Sequence, residues 1–134
     1  MKTSVNTLCP CGSKKKYKLC CQRYHKGAQA KDALALMKSR YSAYVKGEVK
    51  YIIKTTHPNN PLYEKDIINW SSSIENFTKE TEFKGLEIIS FNEGNDEATV
   101  EFIVKTKTES WREKSTFIKE HQIWFYRNYA IILE

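Results

Sequence analysis

The sequence has no cysteine after residue 21, no acidic residue among its first 31 positions, and no long apolar run. The missing apolar run argues against a signal peptide and a membrane-spanning helix, so we expect a cytoplasmic protein. Only five glycines occur in 134 residues, and no glycine-rich phosphate-binding loop is among them. Repeats, low-complexity tracts and coiled-coil heptads are also missing, which excludes solenoid and fibrous architectures.

Positive charge is concentrated at the N-terminal end. Residues 1–31 contain eight lysines and arginines, whereas residues 32–134 contain 14 basic and 16 acidic residues. Such a surface favours an acidic protein partner, with nucleic acid or the ribosome as the alternative. Lysines on a small element also keep it soluble, and the run Lys14-Lys15-Lys16 is shorter than a typical nucleic-acid-binding arm.

All four cysteines lie in one short segment. Cys9 and Cys11 form a C-x-C pair, eight residues intervene, and Cys20 and Cys21 follow directly. Four thiolates are the ligand set of a closed, structural zinc site. Metal binding also supplies folding free energy that so short a segment cannot gain by burying apolar surface. We therefore predict a structural Zn²⁺ ion bound by these four residues.

Other interpretations of the cysteines remain open. Four cysteines can form two disulfides, although a reducing cytoplasm disfavours them. The spacing lacks the C-x-x-C of thioredoxin-like redox sites. His25, four residues after Cys21, is a further candidate ligand in place of one cysteine, although a surface position or a supporting role is the simpler interpretation for it.

The residues between the cysteines suit a metal site. Gly12 permits a turn that a residue with a side chain resists. Ser13 is placed to cap a short helix running toward Cys20. We expect Tyr17 and Leu19 to provide a few apolar contacts.

This segment resembles the SEC-C motif, which is named from the C-terminus of the SecA translocation ATPase. The matching residues are Cys9-Pro10-Cys11-Gly12-Ser13, Tyr17-Lys18 and Cys20-Cys21. The resemblance implies zinc binding and a small protein-interaction module, and it implies no ATPase activity. We call residues 1–26 the N-terminal knob and residues 27–134 the body.

The first half of the body has helical periodicity. Asp32 is a candidate N-cap and Gly47 a stop for a first helix, and a second helix ends near His57-Pro58. Pro61 is predicted to open a third helix. The apolar positions recur at steps of three and four, as helices require, at Leu34, Met37, Tyr41, Tyr44 and Val45, at Val49, Ile52 and Ile53, and at Tyr63, Ile67, Trp70, Ile74 and Phe77.

From Phe83 onward the apolar period changes to two. We expect a first strand from Phe83, the turn 92–96, and a second strand from Ala98. A third strand is predicted over 111–119, and a fourth over 123–126 with a separate extended segment over 129–133. Helices followed by an antiparallel meander predict an α+β fold with the helices packed on one curved face of the sheet.

Most of the chain also resembles the YchJ family of small bacterial proteins of unassigned activity. The similarity extends over residues 9–127 and is carried by Arg23-Tyr24-His25, by the string 36–44 (LMKSRYSAY), by Thr56-His57-Pro58, and more weakly by 85–88 and 113–117. It implies a nuclear-transport-factor-2-like body, in which a curved sheet and helices form a cone with a pocket.

Five residues are candidates for a site in that cone. His57, Glu101 and Glu113 are the candidate general bases, because such a base needs an imidazole or carboxylate with a shifted pKa. The simpler interpretations are a cross-strand ion pair for Glu113 and a loop role for His57. Arg40 suits an anionic ligand or a structural ion pair, and Trp70 suits the core or a stacking platform.

No nucleophilic triad, paired-carboxylate motif or catalytic metal motif is recognisable. A zinc ion with four protein ligands has no open coordination position for substrate. The sequence therefore favours a non-enzymatic, zinc-binding adaptor whose knob binds a partner. The alternative is an enzyme or small-molecule-binding protein that uses the cone pocket. The oligomeric state stays open.

Overall fold

The computed structural model describes residues 7–133. The first six residues of the predicted knob lie outside the described residues, and the boundary at residue 26 stays a prediction. A 3₁₀ turn (Tyr17–Leu19) and a short helix α1 (Cys21–His25) follow the first cysteine pair. Three longer elements, α2 (Ala33–Lys46), α3 (Val49–Lys54) and α4 (Ile67–Glu80), precede the strands.

The sheet is a four-stranded antiparallel meander in the order β1-β2-β3-β4. Its strands are β1 (Phe83–Glu93), β2 (Glu97–Thr106), β3 (Ser110–Glu120) and β4 (Ile123–Ile132). Register irregularities interrupt the β1–β2 pairing twice and the β3–β4 pairing once. Such bulges bend strands, and the helices pack against one face of the resulting curved sheet. The predicted α+β fold is confirmed.

Local hydrogen bonds set the ends of the long helices. The Asp32 carboxylate accepts from the Ala35 amide at 2.7 Å, and Gly47 ends α2 in the left-handed conformation at φ +74°. Both predicted boundaries are confirmed, since a carboxylate caps the free amides and glycine adopts positive φ without strain. The predicted start of the third helix at Pro61 is wrong, because Asp66 caps α4 by accepting from the Asn69 amide.

Three other expectations need correction. The fourth strand is continuous from Ile123 to Ile132, because its backbone stays paired with β3 on both sides of Arg127. In the knob, Ser13 does not cap a helix, and the 3₁₀ turn begins only at Tyr17. Leu19 is 60% exposed and therefore does not pack inside the knob.

The core lies between the helices and the concave face of the sheet. Alternate β2 side chains face it, as the period-two pattern predicts, and the largest fully buried residues are Leu36, Ile52, Val100 and Phe117. A second, smaller buried cluster consists of Cys9, Cys11, Tyr17 and Cys21. Across residues 7–133, none of the helices combines the length and apolar character needed to cross a membrane.

Candidate functional site

The knob backbone brings its two cysteine pairs together. The Cys9 amide donates to the Lys15 carbonyl at 2.8 Å, and the Gly12 amide donates to the Cys9 carbonyl at 3.2 Å. Gly12 has φ +85°, so the turn uses the conformational freedom expected of glycine. The Cys20 amide then bonds to the Tyr17 carbonyl at 3.0 Å, which directs the second pair toward the first.

The four cysteine sulfurs have the geometry of a metal site. All lie within 4.8 Å of one another, and the Sγ atoms of Cys11 and Cys20 are 3.6 Å apart. A tetrahedral ion with metal–sulfur bonds of about 2.3 Å separates its ligand sulfurs by about 3.8 Å. The four thiols are free, and three of the residues are buried. The donor set therefore fits a single metal ion.

The electrostatics of the sulfur cluster are compatible with a bound cation. Hydrogen bonds from the Cys11 and Cys21 thiols lower the pKa of Cys9, whereas contacts with Cys11 and Cys9, together with burial, raise the pKa of Cys21. Neighbouring thiols therefore share negative charge poorly among themselves. A metal ion removes this conflict, since it stabilises all of its ligands as thiolates.

His25 lies beside the sulfur cluster and bonds to other groups. Its Nε2–H donates to the Ser39 carbonyl at 2.8 Å, which leaves Nδ1 to accept from the Tyr17 hydroxyl at 2.5 Å. Burial lowers the pKa of His25, which favours this neutral form. Both ring nitrogens are thus engaged, and the geometry does not support His25 as a replacement for a cysteine.

Contacts between the knob and α2 fix the cysteine cluster against the body. The Cys9 Sγ lies 3.4 Å from the Ser42 hydroxyl, and His25 connects Tyr17 to the Ser39 backbone. The Lys46 ammonium lies 4.4 Å from the centroid of the Tyr17 ring. The knob is therefore held in a defined orientation on the body.

A cavity of about 440 Å³ opens between the helices and the sheet. Three of the four predicted pocket residues line it: Arg40 from α2, Trp70 from α4 and Glu113 from β3. His57 is not among the lining residues. Most of the remaining wall is aromatic, and it includes Tyr44, Phe77, Phe102, Trp111, Tyr126 and Tyr129.

Glu113 and Arg40 have different surroundings within this cavity. Glu113 accepts hydrogen bonds from Ser115 at 2.7 Å, Trp111 at 3.3 Å and Tyr126 at 3.4 Å. The cross-strand ion pair expected for it does not form with any described residue. Arg40 is buried, and its guanidinium carbon lies 4.3 Å from the centroid of the Tyr126 ring.

Glu101 lies on the opposite face of the sheet. The buried residues of β2 alternate with it, and its carboxylate pairs with Arg112. It is therefore not a cavity residue. Sequence reasoning missed Tyr126 and Tyr129 as cavity residues. Trp111, which the sequence offers as a core aromatic or a stacking platform, lies on the same face of β3 as Glu113 because side chains alternate along a strand.

His57 connects the end of α3 to the far end of the sheet. It is buried, its Nε2–H donates to Glu120 at 2.9 Å, and its Nδ1 accepts from the Asn59 amide at 3.1 Å. Its own amide donates to the Tyr126 carbonyl at 2.8 Å. This environment is structural, and it offers the imidazole no cavity to act in.

Replacing His57 with alanine is expected to lower the free energy of unfolding by about 1–3 kcal/mol, because the Asn59 amide and Glu120 lose their partner. Urea denaturation followed by circular dichroism measures the change. The control is His121→Asn in the neighbouring exposed turn, where φ is +51° and asparagine is tolerated. Equal stability of His57→Ala and the native chain would contradict the structural role.

The comparisons with known proteins agree with this architecture. A family profile for "YchJ, middle NTF2-like domain" matches residues 32–128, and one for the SEC-C motif matches residues 6–23. A UPF0225 protein of Pectobacterium carotovorum is 38% identical over 128 residues, which are 88% of this chain and 79% of the relative.

Two solved structures share both parts of the chain. The solution structure of a SEC-C motif containing protein from Rhodopseudomonas palustris has a TM-score of 0.80 and 28% identity, covering 95% of this chain and 100% of the other. The crystal structure of a SEC-C motif containing protein from Psychrobacter arcticus has a TM-score of 0.79 and 30% identity, covering 97% and 85%. The chain therefore belongs to the YchJ (UPF0225) family and joins a SEC-C motif to an NTF2-like domain.

Proposed function

We propose that Cys9, Cys11, Cys20 and Cys21 bind one structural Zn²⁺ ion, and that the metal holds the knob as a docking element for an acidic protein partner in the cytoplasm. The convergence of four sulfurs within 4.8 Å carries this proposal. An all-sulfur, tetrahedral donor set favours zinc among divalent ions. Because all four positions are taken by protein ligands, the ion stabilises the fold and performs no chemistry.

The surface of the knob favours a protein partner. Residues 7–26 contain six basic residues and no acidic ones, and those basic side chains are exposed. Leu8 and Leu19 are also exposed, at 63% and 60%. Lysines attract carboxylates or phosphates equally, whereas exposed leucines gain free energy only against an apolar surface. An acidic protein that also presents apolar side chains offers both kinds of contact.

The attachment of the knob to the body supports an adaptor role. Because Cys9 contacts Ser42 and His25 contacts Ser39, both on α2, a partner bound at the knob is held at a fixed position relative to the cone. The body then serves as scaffold for the complex.

A charge-reversal experiment tests the docking surface. The triple variant Lys14/Lys15/Lys16→Glu is compared with Lys50/Lys107/Lys114→Glu, which changes the net charge equally at exposed body positions. Elemental analysis should find zinc in both. In pull-downs from nuclease-treated lysate, the native chain and the body variant should retain a partner that is lost by the knob variant and by Cys9/Cys20→Ser.

Two outcomes would contradict the docking proposal. Capture of the same proteins by all four forms would show that the knob surface is not used. Co-sedimentation with ribosomes at low salt that weakens steeply as salt increases would indicate nucleic acid as the partner, since phosphate contacts release counterions.

A second candidate function is small-molecule binding in the cone. The observation that favours it is the cavity of about 440 Å³ between α2, α4 and the sheet. Ligand pockets are typically about 300–1,000 Å³, apolar in lining, with a few convergent polar groups. Aromatic walls with Arg40 and Glu113 among them have this character.

A further inference from the structure

We propose that the cavity binds a small organic cation with an apolar or aromatic body, whose ammonium group pairs with Glu113. This inference rests on the second candidate function, small-molecule binding in the cone, and names the chemical class of ligand. Three features of the cavity carry it: the hydrogen bonding of Glu113, the engagement of Arg40, and the aromatic walls.

Glu113 is a carboxylate without a charged partner among residues 7–133. Its three hydrogen-bond donors, Ser115, Trp111 and Tyr126, are all neutral, and it forms no ion pair with the described residues. A carboxylate has about four acceptor sites, so capacity for another donor remains. Because partly buried charges are normally paired, a cationic ligand would complete the environment of Glu113.

The cation of the cavity is engaged elsewhere. The Nη1 of Arg40 donates to the Ile52 carbonyl at 2.9 Å and to the hydroxyls of Thr55 and Thr56 at 2.6 and 3.1 Å. The guanidinium also lies over the Tyr126 ring. These contacts hold the Nη1 end of the guanidinium against the end of α3, so part of its donor capacity is already used within the protein.

The remaining charge of the cavity also favours a cation. Glu64 is the only other charged residue among those that line it in the described chain, so two carboxylates face one guanidinium. The walls include Tyr44, Trp70 and Trp111. Aromatic faces attract organic cations by their quadrupoles and pack against apolar ligand bodies at the same time.

Three probes with a common phenyl ring and chain but different charge test the inference: 2-phenylethylammonium, 2-phenylethanol and 3-phenylpropionate. Each is titrated into the intact, zinc-loaded chain while NMR follows the indole N–H signals of Trp70 and Trp111. The Trp111 indole donates to Glu113, so its signal reports directly on this carboxylate. We expect the ammonium probe to bind about tenfold more tightly than the propionate, which is about 1.4 kcal/mol.

Two variants separate the charge of Glu113 from the shape of the pocket. Glu113→Gln keeps the size of the side chain and an acceptor oxygen. It should weaken binding of the ammonium probe about tenfold, while 2-phenylethanol binds as before. Glu101→Gln removes a carboxylate from the opposite face of the sheet. It should change the affinity of neither the ammonium probe nor 2-phenylethanol. The NMR spectrum of each variant serves as the check that it is folded.

Other results would overturn the inference. Tightest binding of the propionate, or an unchanged preference in Glu113→Gln, would show that a pocket exists but does not select cations through Glu113. If none of the three probes shifts either indole signal at millimolar concentration, both the cation site and the small-molecule function fail.

Discussion

Replacing Cys9 with serine is expected to reduce bound zinc from about one ion per chain to a small fraction of that value. A serine hydroxyl does not ionise at neutral pH and is a poor zinc ligand, so three thiolates remain. Because the knob buries little apolar surface beyond Tyr17 and its cysteines, loss of the ion should unfold it. Elemental analysis measures the zinc, and hydrogen exchange measures the protection of the knob amides.

The body should remain folded in the same variant. Its core cluster contains residues of the helices and the sheet, and it is separate from the cluster that contains the cysteines. The far-ultraviolet circular dichroism signal of the sheet should therefore persist. Removal of the metal from the native chain by a chelator should give the same result. We expect only a modest decrease in the thermal midpoint, since the contacts of α2 with the knob are lost.

The matched control is Ser42→Ala. It removes the hydroxyl that lies 3.4 Å from the Cys9 sulfur but leaves all four thiols in place, so it should retain zinc. Stoichiometric zinc in Cys9→Ser would show that this thiol is not a ligand. Collapse of the sheet signal after chelation would show that the body depends on the metal.

The features that the sequence predicted correctly depend on local chemistry. Asp32 and Gly47 bound α2 because capping and positive φ involve only neighbouring residues. The cysteine cluster is equally local, since one turn at Gly12 and the 3₁₀ turn bring its two pairs together. Period-two alternation separated the two faces of β2, without deciding which one points inward, and it placed Glu113 with Ser115.

The features that the sequence did not predict depend on long-range contacts or on competing local signals. Proline suits the first turn of a helix, but Asp66 provides a side-chain cap where Pro61 provides none. Strand β4 continues past Arg127 because it pairs with β3 on both sides of the bulge at that residue. The cavity combines α2, α4 and β3, so its wall depends on how separate elements pack.

Replacing Arg40 with alanine is expected to lower the free energy of unfolding by about 3 kcal/mol. The reason is that its Nη1 donates to the Ile52 carbonyl and to the Thr55 and Thr56 hydroxyls, all buried against the end of α3. Alanine leaves these acceptors without their charged donor and also removes the packing over Tyr126. Urea denaturation of the zinc-loaded chain measures the change.

Arg40→Lys and Lys50→Ala distinguish the causes of this destabilisation. Lysine keeps the charge but lacks the planar guanidinium. The stability of Arg40→Lys should therefore lie between those of the native chain and Arg40→Ala. Lys50 is exposed on α3, and its removal should change stability by less than about 0.5 kcal/mol. A fully stable Arg40→Ala would mean that the guanidinium is not required by the fold. Arg40 would then be free to bind an anionic ligand, and the charge argument for a cationic one would no longer hold.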